Sequence, residues 1–194
     1  VSELPFPGFG PARKRHLFEP YVRLWQTARR LRAEGYDLAL VTHRTISQTK
    51  SRTVANPWLS ALMPENGILL HPRDAERLGL RDGQRVRVSS ATNPAGAWPL
   101  GPAGPKDMIG KVILTQTVRP GVVSFALGFG HWATGAAEVV IDGPVIQGEP
   151  RRAAGLHANA AMWIDPALGN TCLTDPVGGS VSFYDTHVRL EAVA

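Results

Sequence analysis

The sequence predicts a mainly β domain with short helices, arranged as a barrel, and three observations lead to this expectation. Its 194 residues correspond to one domain of ordinary size. The 20 glycines and 16 prolines divide the chain into short segments, which excludes a coiled coil or a simple helical bundle. Many of these segments read as short strands, and short strands separated by turn residues are typical of a barrel.

The N-terminal part is expected to lie outside the barrel. Residues 1–12 are rich in proline and glycine and predict an extended arm. A helix is predicted from about Pro20 to Gly35, because apolar residues recur there at helical spacing, proline suits a first turn and glycine suits a helix end. We therefore divide the chain into an N-terminal arm and helix, residues 1–35, and a barrel domain, residues 36–194.

The remaining elements follow from local patterns of apolar and turn-forming residues. The first strand is almost uninterrupted by polar residues, and the last alternates polar and apolar side chains. Residues 91–106 are expected to be irregular because prolines and glycines recur in them. The predicted elements in order are a buried strand Tyr36–Thr42, a polar loop His43–Asn56, a strand Gly67–His71, a helix Pro72–Leu78 closed by Gly79, a strand Gln84–Ser90, strands Lys111–Val118 and Val122–Leu127, a short strand Glu138–Ile141 and a closing strand His187–Val193.

The chain contains no evident reaction centre of its own. The single cysteine, Cys172, excludes an intramolecular disulfide framework and a metal site of clustered thiolates. The six histidines are scattered without metal-ligand spacing, and the common nucleotide-binding, zinc-protease and serine-hydrolase motifs are absent. We therefore predict no catalytic and no metal-binding residue in this chain.

The positive charge suits an anionic partner, although genome composition explains the arginine excess equally well. The net charge is +5, carried by 17 arginines and only 4 lysines, and the planar guanidinium group suits phosphate. One hypothesis is a stand-alone barrel that binds nucleic acid, and another is a barrel that binds proteins. The 14 aromatic residues do not interleave with the basic ones, which disfavours stacking on nucleic-acid bases.

The polar loop is the first candidate binding segment. It follows a buried strand and carries the positive side chains of Arg44, Lys50 and Arg52 among many hydroxyl groups. This mixture suits a diphosphate and sugar hydroxyls, although a solvated loop fits the composition equally well. Three carboxylates can in principle accept hydrogen bonds from a guanine base, and composition does not choose among them; they are Asp37, Asp142 and Asp165.

A second candidate segment is Val118–Trp132, in which a strand leads into Gly128 and Gly130. The glycines allow a backbone to approach a ligand closely, His131 offers a hydrogen bond and Trp132 offers a flat surface. A tight turn with a core tryptophan explains the pattern equally well.

Five stretches in this order carry a family resemblance: LALVTHRTISQTKSRTVANPWL, GILLHPRDAERLGLRDGQRVRVSS, VRPGVVSFALGFGHW, LHANAAMWID and NTCLTDPVGGSVSFYDTHVRLE. They span residues 38–191. The chain resembles the C-terminal molybdopterin-dinucleotide-binding domain of the dimethyl sulfoxide reductase family, and within it the catalytic subunits of polysulfide, thiosulfate or tetrathionate reductases. The resemblance implies a six-stranded double-psi β-barrel that holds parts of two pterin guanine dinucleotides.

The resemblance also implies which residues contact the cofactor. The polar loop is expected to approach one dinucleotide, a Gly-His-Trp turn is expected to lie near a pterin, and a loop asparagine follows that turn. The residues assigned in this way are Thr42, His43, Arg44, Thr49, Ser51, Arg52, Thr53, Asn56, His131, Trp132 and Asn159.

The resemblance further implies a domain that is not catalytic alone. The molybdenum or tungsten ligand lies in another domain of such enzymes, so Cys172 is not expected to be that ligand. We expect this chain to be a segment of a longer protein, with a small separate subunit as the alternative, and we expect the isolated segment to lack the cofactor. Its expected partners are the other domains of the catalytic subunit. Iron–sulfur and membrane-anchor subunits are expected in the intact enzyme. We expect this chain neither to bind nucleic acid nor to insert directly into a membrane. The implied compartment is the periplasm for a polysulfide-reductase-like enzyme and the cytoplasm otherwise.

Overall fold

Six strands close into a barrel in a computed structural model that describes residues 22, 25–100, 104–132, 136, 138–164 and 186–193. The prediction of a mainly β, six-stranded barrel is therefore confirmed. The described strands are β1 (Leu38–His43), β2 (Ile68–Leu70), β3 (Arg85–Ser90), β4 (Ala97–Pro99), β5 (Pro105–Asp107), β6 (Ile109–Leu114), β7 (Val122–Ala126), β8 (Val139–Val140), β9 (Val145–Ile146) and β10 (His187–Ala192). The order of strands around the barrel is β1-β10-β3-β6-β2-β7.

The pairing of the strands has an internal symmetry. β1 pairs with β7 and β2 pairs with β6 in parallel, and the other four pairs of the barrel are antiparallel. Exchanging β1 with β6, β2 with β7 and β3 with β10 reproduces every pair with the same direction. This two-fold relation is the pattern expected of a double-psi barrel.

Parallel pairing of β1 with β7 decides where the candidate segments lie. Thr42 pairs with Phe125 and His43 pairs with Ala126, so both strands end at the same end of the barrel. The polar loop leaves β1 there, and the Gly-His-Trp turn follows β7 there. The two segments singled out in the sequence are thereby neighbours.

The barrel interior is filled by alternate residues of each strand, as period-2 patterning requires. On β1, Leu38 and Leu40 are fully buried, and Thr42 takes the next inward position. Val123 and Phe125 of β7 face the same core. The core is therefore aliphatic and aromatic along its length and becomes polar at Thr42, where the barrel opens.

Asn66 is a fully buried polar side chain that joins two segments near this end. Its amide nitrogen donates hydrogen bonds to the backbone oxygens of Ala126 and Leu156, at 2.7 and 3.0 Å. Its side-chain oxygen accepts a hydrogen bond from the Leu156 nitrogen at 2.6 Å. One carboxamide thus fixes the end of β7 against the segment that contains Leu156.

The helices are short. Residues 25–33 are helical and form α1, while α2 spans Pro57–Leu62 and α3 spans Pro72–Leu78. The prediction for α3 is confirmed, because His71 caps its start and Gly79, with φ +65°, closes it. α2 was not predicted, although Asn56 followed by Pro57 is a helix-start signal.

Two regions contain more strand than the sequence led us to expect. β4 and β5 pair within residues 91–106, which were expected to be irregular, and β5 extends one residue beyond them. Their prolines are tolerated because a two-stranded ribbon has edges that need no donor. The single short strand predicted at Glu138–Ile141 is half of a hairpin, in which β8 pairs with β9.

Several sequence predictions lie outside the described residues, namely the extended arm, the start of α1 near Pro20, Asp165 and Cys172. Within the described part of the chain, no helix has the length and hydropathy needed to cross a bilayer.

Replacing Asn66 by alanine is expected to lower the free energy of unfolding by about 3 kcal/mol, because buried backbone groups lose their partners. The matched control is Asn56→Ala, since the Asn56 side chain only caps the exposed start of α2, and its loss is expected to cost about 1 kcal/mol. Urea unfolding measures both. Equal effects of the two substitutions would contradict the bridging role of Asn66.

Candidate functional site

A cleft of about 640 Å³ opens at the end of the barrel where β1 and β7 terminate. Its size lies in the range of small-molecule and cofactor sites. The polar loop forms one side, the segment after β7 forms another, and residues near His157 complete it. The lining residues are Thr42, His43, Arg44, Lys50, Ser51, Leu127, Gly128, His131, His157, Ala158, Asn159 and Met162.

The polar loop is held in place by its own hydrogen bonds. The Thr53 hydroxyl accepts a hydrogen bond from the Thr49 nitrogen at 2.7 Å and donates one to the Gln48 side chain at 3.1 Å. Lys50–Arg52 forms a 3-10 turn, and Lys50 has the unusual φ of +48°. A left-handed lysine costs energy that the surrounding structure must offset.

Gly128 brings the polar loop and the segment after β7 into direct backbone contact. It has φ +94°, and an added Cβ atom would lie 2.4 Å from the Lys50 Cα atom and 2.8 Å from the Ser51 nitrogen. No side chain fits in this space. The two walls of the cleft therefore meet backbone to backbone.

Gly130 and its neighbours form a second close contact, with the segment around His157. A Cβ atom on Gly130 would lie 2.4 Å from the His157 nitrogen. The His131 nitrogen donates to the Arg152 oxygen at 2.8 Å, and the Trp132 indole donates to the Gly155 oxygen at 3.2 Å. These bonds place the His131 ring 5.9 Å from the His157 ring, centroid to centroid.

The lining residues that the structure describes include Arg44, Lys50 and three histidines, and none of them is acidic. Arg44 and Lys50 have no carboxylate within ion-pair distance among the described residues, whereas Arg77 and Arg87 each pair with an aspartate. The cleft therefore presents positive charge that is free to meet an anion.

Burial favours the neutral form of two of the cleft histidines, His43 and His157. Burial lowers the pKa of His43 below its ordinary value of 6.5. The pKa of His157 is also lowered, first by burial and then by the neighbouring His131, against a smaller opposing effect of a backbone hydrogen bond with Phe129. His43 additionally has its Nδ1 atom 2.8 Å from the Ser124 hydroxyl.

Six of the eleven residues assigned from the sequence line this one cleft; they are Thr42, His43, Arg44, Ser51, His131 and Asn159. The other five do not line it. Thr49 and Thr53 stabilise the loop, Arg52 is exposed, Asn56 caps α2 and Trp132 is buried against Gly155.

Two of the three carboxylates considered for guanine are described, and neither lines the cleft. Asp37 forms an ion pair with Arg77, and Asp142 lies in the turn between β8 and β9.

The structure adds Lys50 and His157 to the candidate residues. Lys50 was noted in the sequence only as part of the loop charge, and its position depends on the contact with Gly128, which lies far away in the chain. His157 precedes the assigned Asn159 and was passed over as one scattered histidine. No local pattern marks either residue as part of a site.

The residues of the cleft fit a dinucleotide that carries phosphates and a polar ring system. Arg44, Lys50 and the Ser51 hydroxyl are donors suited to phosphate oxygens. The Nε2 atom of His131 is buried and has no hydrogen-bond partner within the described part of the chain, and an unsatisfied buried group of this kind calls for an external partner. No cluster of three or more potential metal-ligating side chains occurs among the described residues, in the cleft or outside it.

Replacing Gly128 by alanine is expected to lower the free energy of unfolding by about 3 kcal/mol, because the methyl group would overlap the Lys50 backbone. Gly121 provides the control, since it has φ +80° but open space around it. Gly121→Ala is expected to cost about 1 kcal/mol through backbone strain alone. Thermal or urea unfolding of both variants tests the contact, and similar losses would argue against it.

The free energy of unfolding is expected to fall as the pH is lowered from 7.5 towards 5.5. The unfolded chain takes up protons at His43 and His157 near pH 6.5, whereas the folded protein takes them up only at lower pH. The stabilisation is present above pH 6.5 and is lost as the pH falls towards the lowered pKa values. Urea unfolding of the double variant His43→Gln, His157→Gln should show a smaller loss, and an unchanged loss would assign the dependence to other groups.

Comparison with known proteins shows the family to which the chain belongs. Residues 38–167 match the family described as "Molydopterin dinucleotide binding domain". A selenate reductase subunit of Mesobacillus selenatarsenatis is 37% identical over 177 residues, which cover 91% of this chain and 17% of that protein. A tetrathionate reductase subunit of Salmonella typhimurium is 30% identical, over 81% of this chain and 14% of that protein.

A solved structure agrees in fold. Acetylene hydratase from Pelobacter acetylenicus superposes with a TM-score of 0.55 at 18% identity, over 83% of this chain and 19% of that one. The chain thus spans a small part of the proteins it matches. With a matching family over most of its length and a barrel of the expected topology, the chain belongs to the molybdopterin-dinucleotide-binding domain family of the molybdopterin oxidoreductases, within the dimethyl sulfoxide reductase family.

Proposed function

We propose that the cleft holds one pterin guanine dinucleotide of a bis(dinucleotide) molybdenum or tungsten cofactor, and that this domain binds the cofactor without being catalytic alone. The observation that carries the proposal is the contact at Gly128. It joins a cationic, hydroxyl-bearing loop to the Gly-His-Trp turn in one cleft. Phosphate binding and recognition of a polar ring are thereby brought together.

The polar loop is proposed to hold the phosphates. Arg44 and Lys50 supply positive charge at the cleft wall, and Thr42 and Ser51 supply hydroxyl donors. Arg52, exposed on the same 3-10 turn as Lys50, is proposed to contact the cofactor from the rim. Thr49, Thr53 and Asn56 act indirectly, because their side chains hold the loop and the start of α2.

The opposite wall is proposed to hold the ring system. His131 places an unpartnered, buried Nε2 atom there, and Asn159 offers a carboxamide that can both donate and accept hydrogen bonds. Trp132 positions His131, because its indole is bonded to Gly155. When bound, the metal–pterin group supplies two-electron transfer, and this chain supplies orientation, charge and exclusion of water.

The longer protein is proposed to be a reductase of an oxyanion. Its relatives are named as selenate, tetrathionate and arsenate reductase subunits, and the metal ligand is proposed to lie in a part of the polypeptide outside this chain. The proposed partners are the other domains of the catalytic subunit, together with iron–sulfur and membrane-anchor subunits.

Replacing Arg44 by alanine in the longer protein is expected to weaken cofactor retention about tenfold or more, because a charge-assisted hydrogen bond to phosphate is lost. Arg52→Ala is expected to have a smaller effect, since its side chain does not line the cleft. The measurement is molybdenum or tungsten by elemental analysis and guanine nucleotide released by acid hydrolysis, per mole of protein after dialysis.

The matched control is Arg73→Ala. Arg73 is exposed on α3, and α3 lies at the opposite end of the barrel, where Asp74 accepts a hydrogen bond from the Gly121 nitrogen. Its removal changes the net charge equally and should leave the metal and guanine contents unchanged. Full contents in the Arg44 and Arg52 variants would overturn the assignment of the cleft.

A further inference from the structure

The hairpin formed by β8 and β9 is specified by its own sequence. Asp142 and Gly143 follow one another in the turn with φ +52° and +102°, and the Ile141 nitrogen donates to the Pro144 oxygen at 3.1 Å. Two successive residues with positive φ are characteristic of the type I′ turn, which matches the twist of a hairpin and favours Asp-Gly. The hairpin therefore does not depend on the barrel for its turn.

The surface of this hairpin is aliphatic on both faces. Every residue from 138 to 147 is exposed. Val139 lies opposite Ile146 and Val140 lies opposite Val145, and successive residues of a strand point to opposite faces. The exposed aliphatic residues are Val139 at 41%, Val140 at 66%, Ile141 at 52%, Val145 at 54% and Ile146 at 48%.

Such a hairpin needs a surface to pack against. A two-stranded hairpin alone is marginally stable in water, and contiguous exposed apolar surface marks an interaction site. A hairpin lying on a flat surface would need one polar face towards water. Because both faces of this hairpin are aliphatic, only insertion into a groove buries the valine and isoleucine side chains on the two faces.

The hairpin is connected to the wall of the cleft. The 3-10 turn Pro150–Ala153 follows it directly, and the Arg152 oxygen in that turn accepts the hydrogen bond from the His131 nitrogen. The Ala154 oxygen accepts another from Gly130 at 2.8 Å. Next to this turn, the Arg151 guanidinium donates hydrogen bonds to the Glu149 carboxylate and lowers the pKa of Glu149 to about 2.

We propose that the hairpin, residues 138–147, inserts into an apolar groove in the remaining part of the longer polypeptide and so holds the His131 wall of the cleft against that part. The inference rests on the proposed function, in which this chain is one domain of a larger subunit. The chain covers only 17% and 14% of its two reductase relatives, so a large partner surface is available within one polypeptide. Glu138 and Asp142 are acidic, and residues 136–150 contain no lysine or arginine, so the rim of the groove is expected to be basic.

Hydrogen–deuterium exchange of the longer protein tests the proposal. Backbone amides in peptides covering residues 138–147 are expected to exchange about 100-fold more slowly than in an unstructured chain, because docking suppresses local opening. Exchange at the unstructured rate would overturn the proposal, whatever the cofactor content. Protection that rises with protein concentration, together with a doubled mass in light scattering, would also overturn the proposal. The hairpin would then pack against a second copy of the protein and not against a groove of its own polypeptide.

The double variant Val140→Thr, Val145→Thr should reduce this protection about tenfold or more, because buried hydroxyl groups would lack partners while the β-branched shape is kept. Ile113→Thr is the control, since Ile113 is 40% exposed on barrel strand β6, and it should leave the hairpin protected. Equal protection in the double variant and the wild type would overturn the proposal. Metal and guanine contents of the same samples separate the two proposals: a protected hairpin in a protein without cofactor would support docking and contradict the proposed function.

Discussion

Backbone contact between Gly128 and the Lys50–Ser51 peptide is the constraint on which the binding cleft depends. Parallel pairing of β1 with β7 brings the two loops to one end of the barrel, but that alone leaves them side by side. A residue without a side chain lets them touch, and the contact accompanies the left-handed conformation of Lys50. The backbone strain of that lysine is offset by the stability of a barrel whose core is fully buried. Strained residues commonly occur at functional sites and are compensated by the surrounding structure.

Asn66 and Gly130 hold the third side of the cleft in place through contacts with the backbone, as Gly128 does for the first two sides. The Asn66 carboxamide links the end of β7 to Leu156, and Gly130 lets the turn approach His157. The cleft is thus assembled from three chain segments that meet at Gly128, at Gly130 and through the Asn66 carboxamide. These contacts fix the backbone from which the His131 and Arg44 side chains project.

The sequence was most informative where the pattern is local. The buried strand before the polar loop, helix α3 with its closing Gly79, and the last strand follow from periodicity and turn residues, and the family motifs implied the barrel topology. Lys50, His157 and Asn66 escaped prediction because their roles arise from contacts between segments far apart in the chain. The second strand of the β8–β9 hairpin and helix α2 were missed for another reason. Asp142-Gly143 and Asn56-Pro57 are local turn and helix-start signals, but the elements beside them are only two and six residues long, which is too short to show a periodic pattern.

The two halves of the barrel share one pattern of strand pairing but differ in the lengths of their connections. The connections that leave β1 and β7 run over residues 44–67 and 127–186, whereas their symmetry counterparts after β6 and β2 run over only 115–121 and 71–84. The two long connections both leave the barrel at the end where the cleft lies, and the short connections close the other end. The length of chain that a ligand site requires is therefore accommodated in connections, with the strand pairing of the two halves left the same.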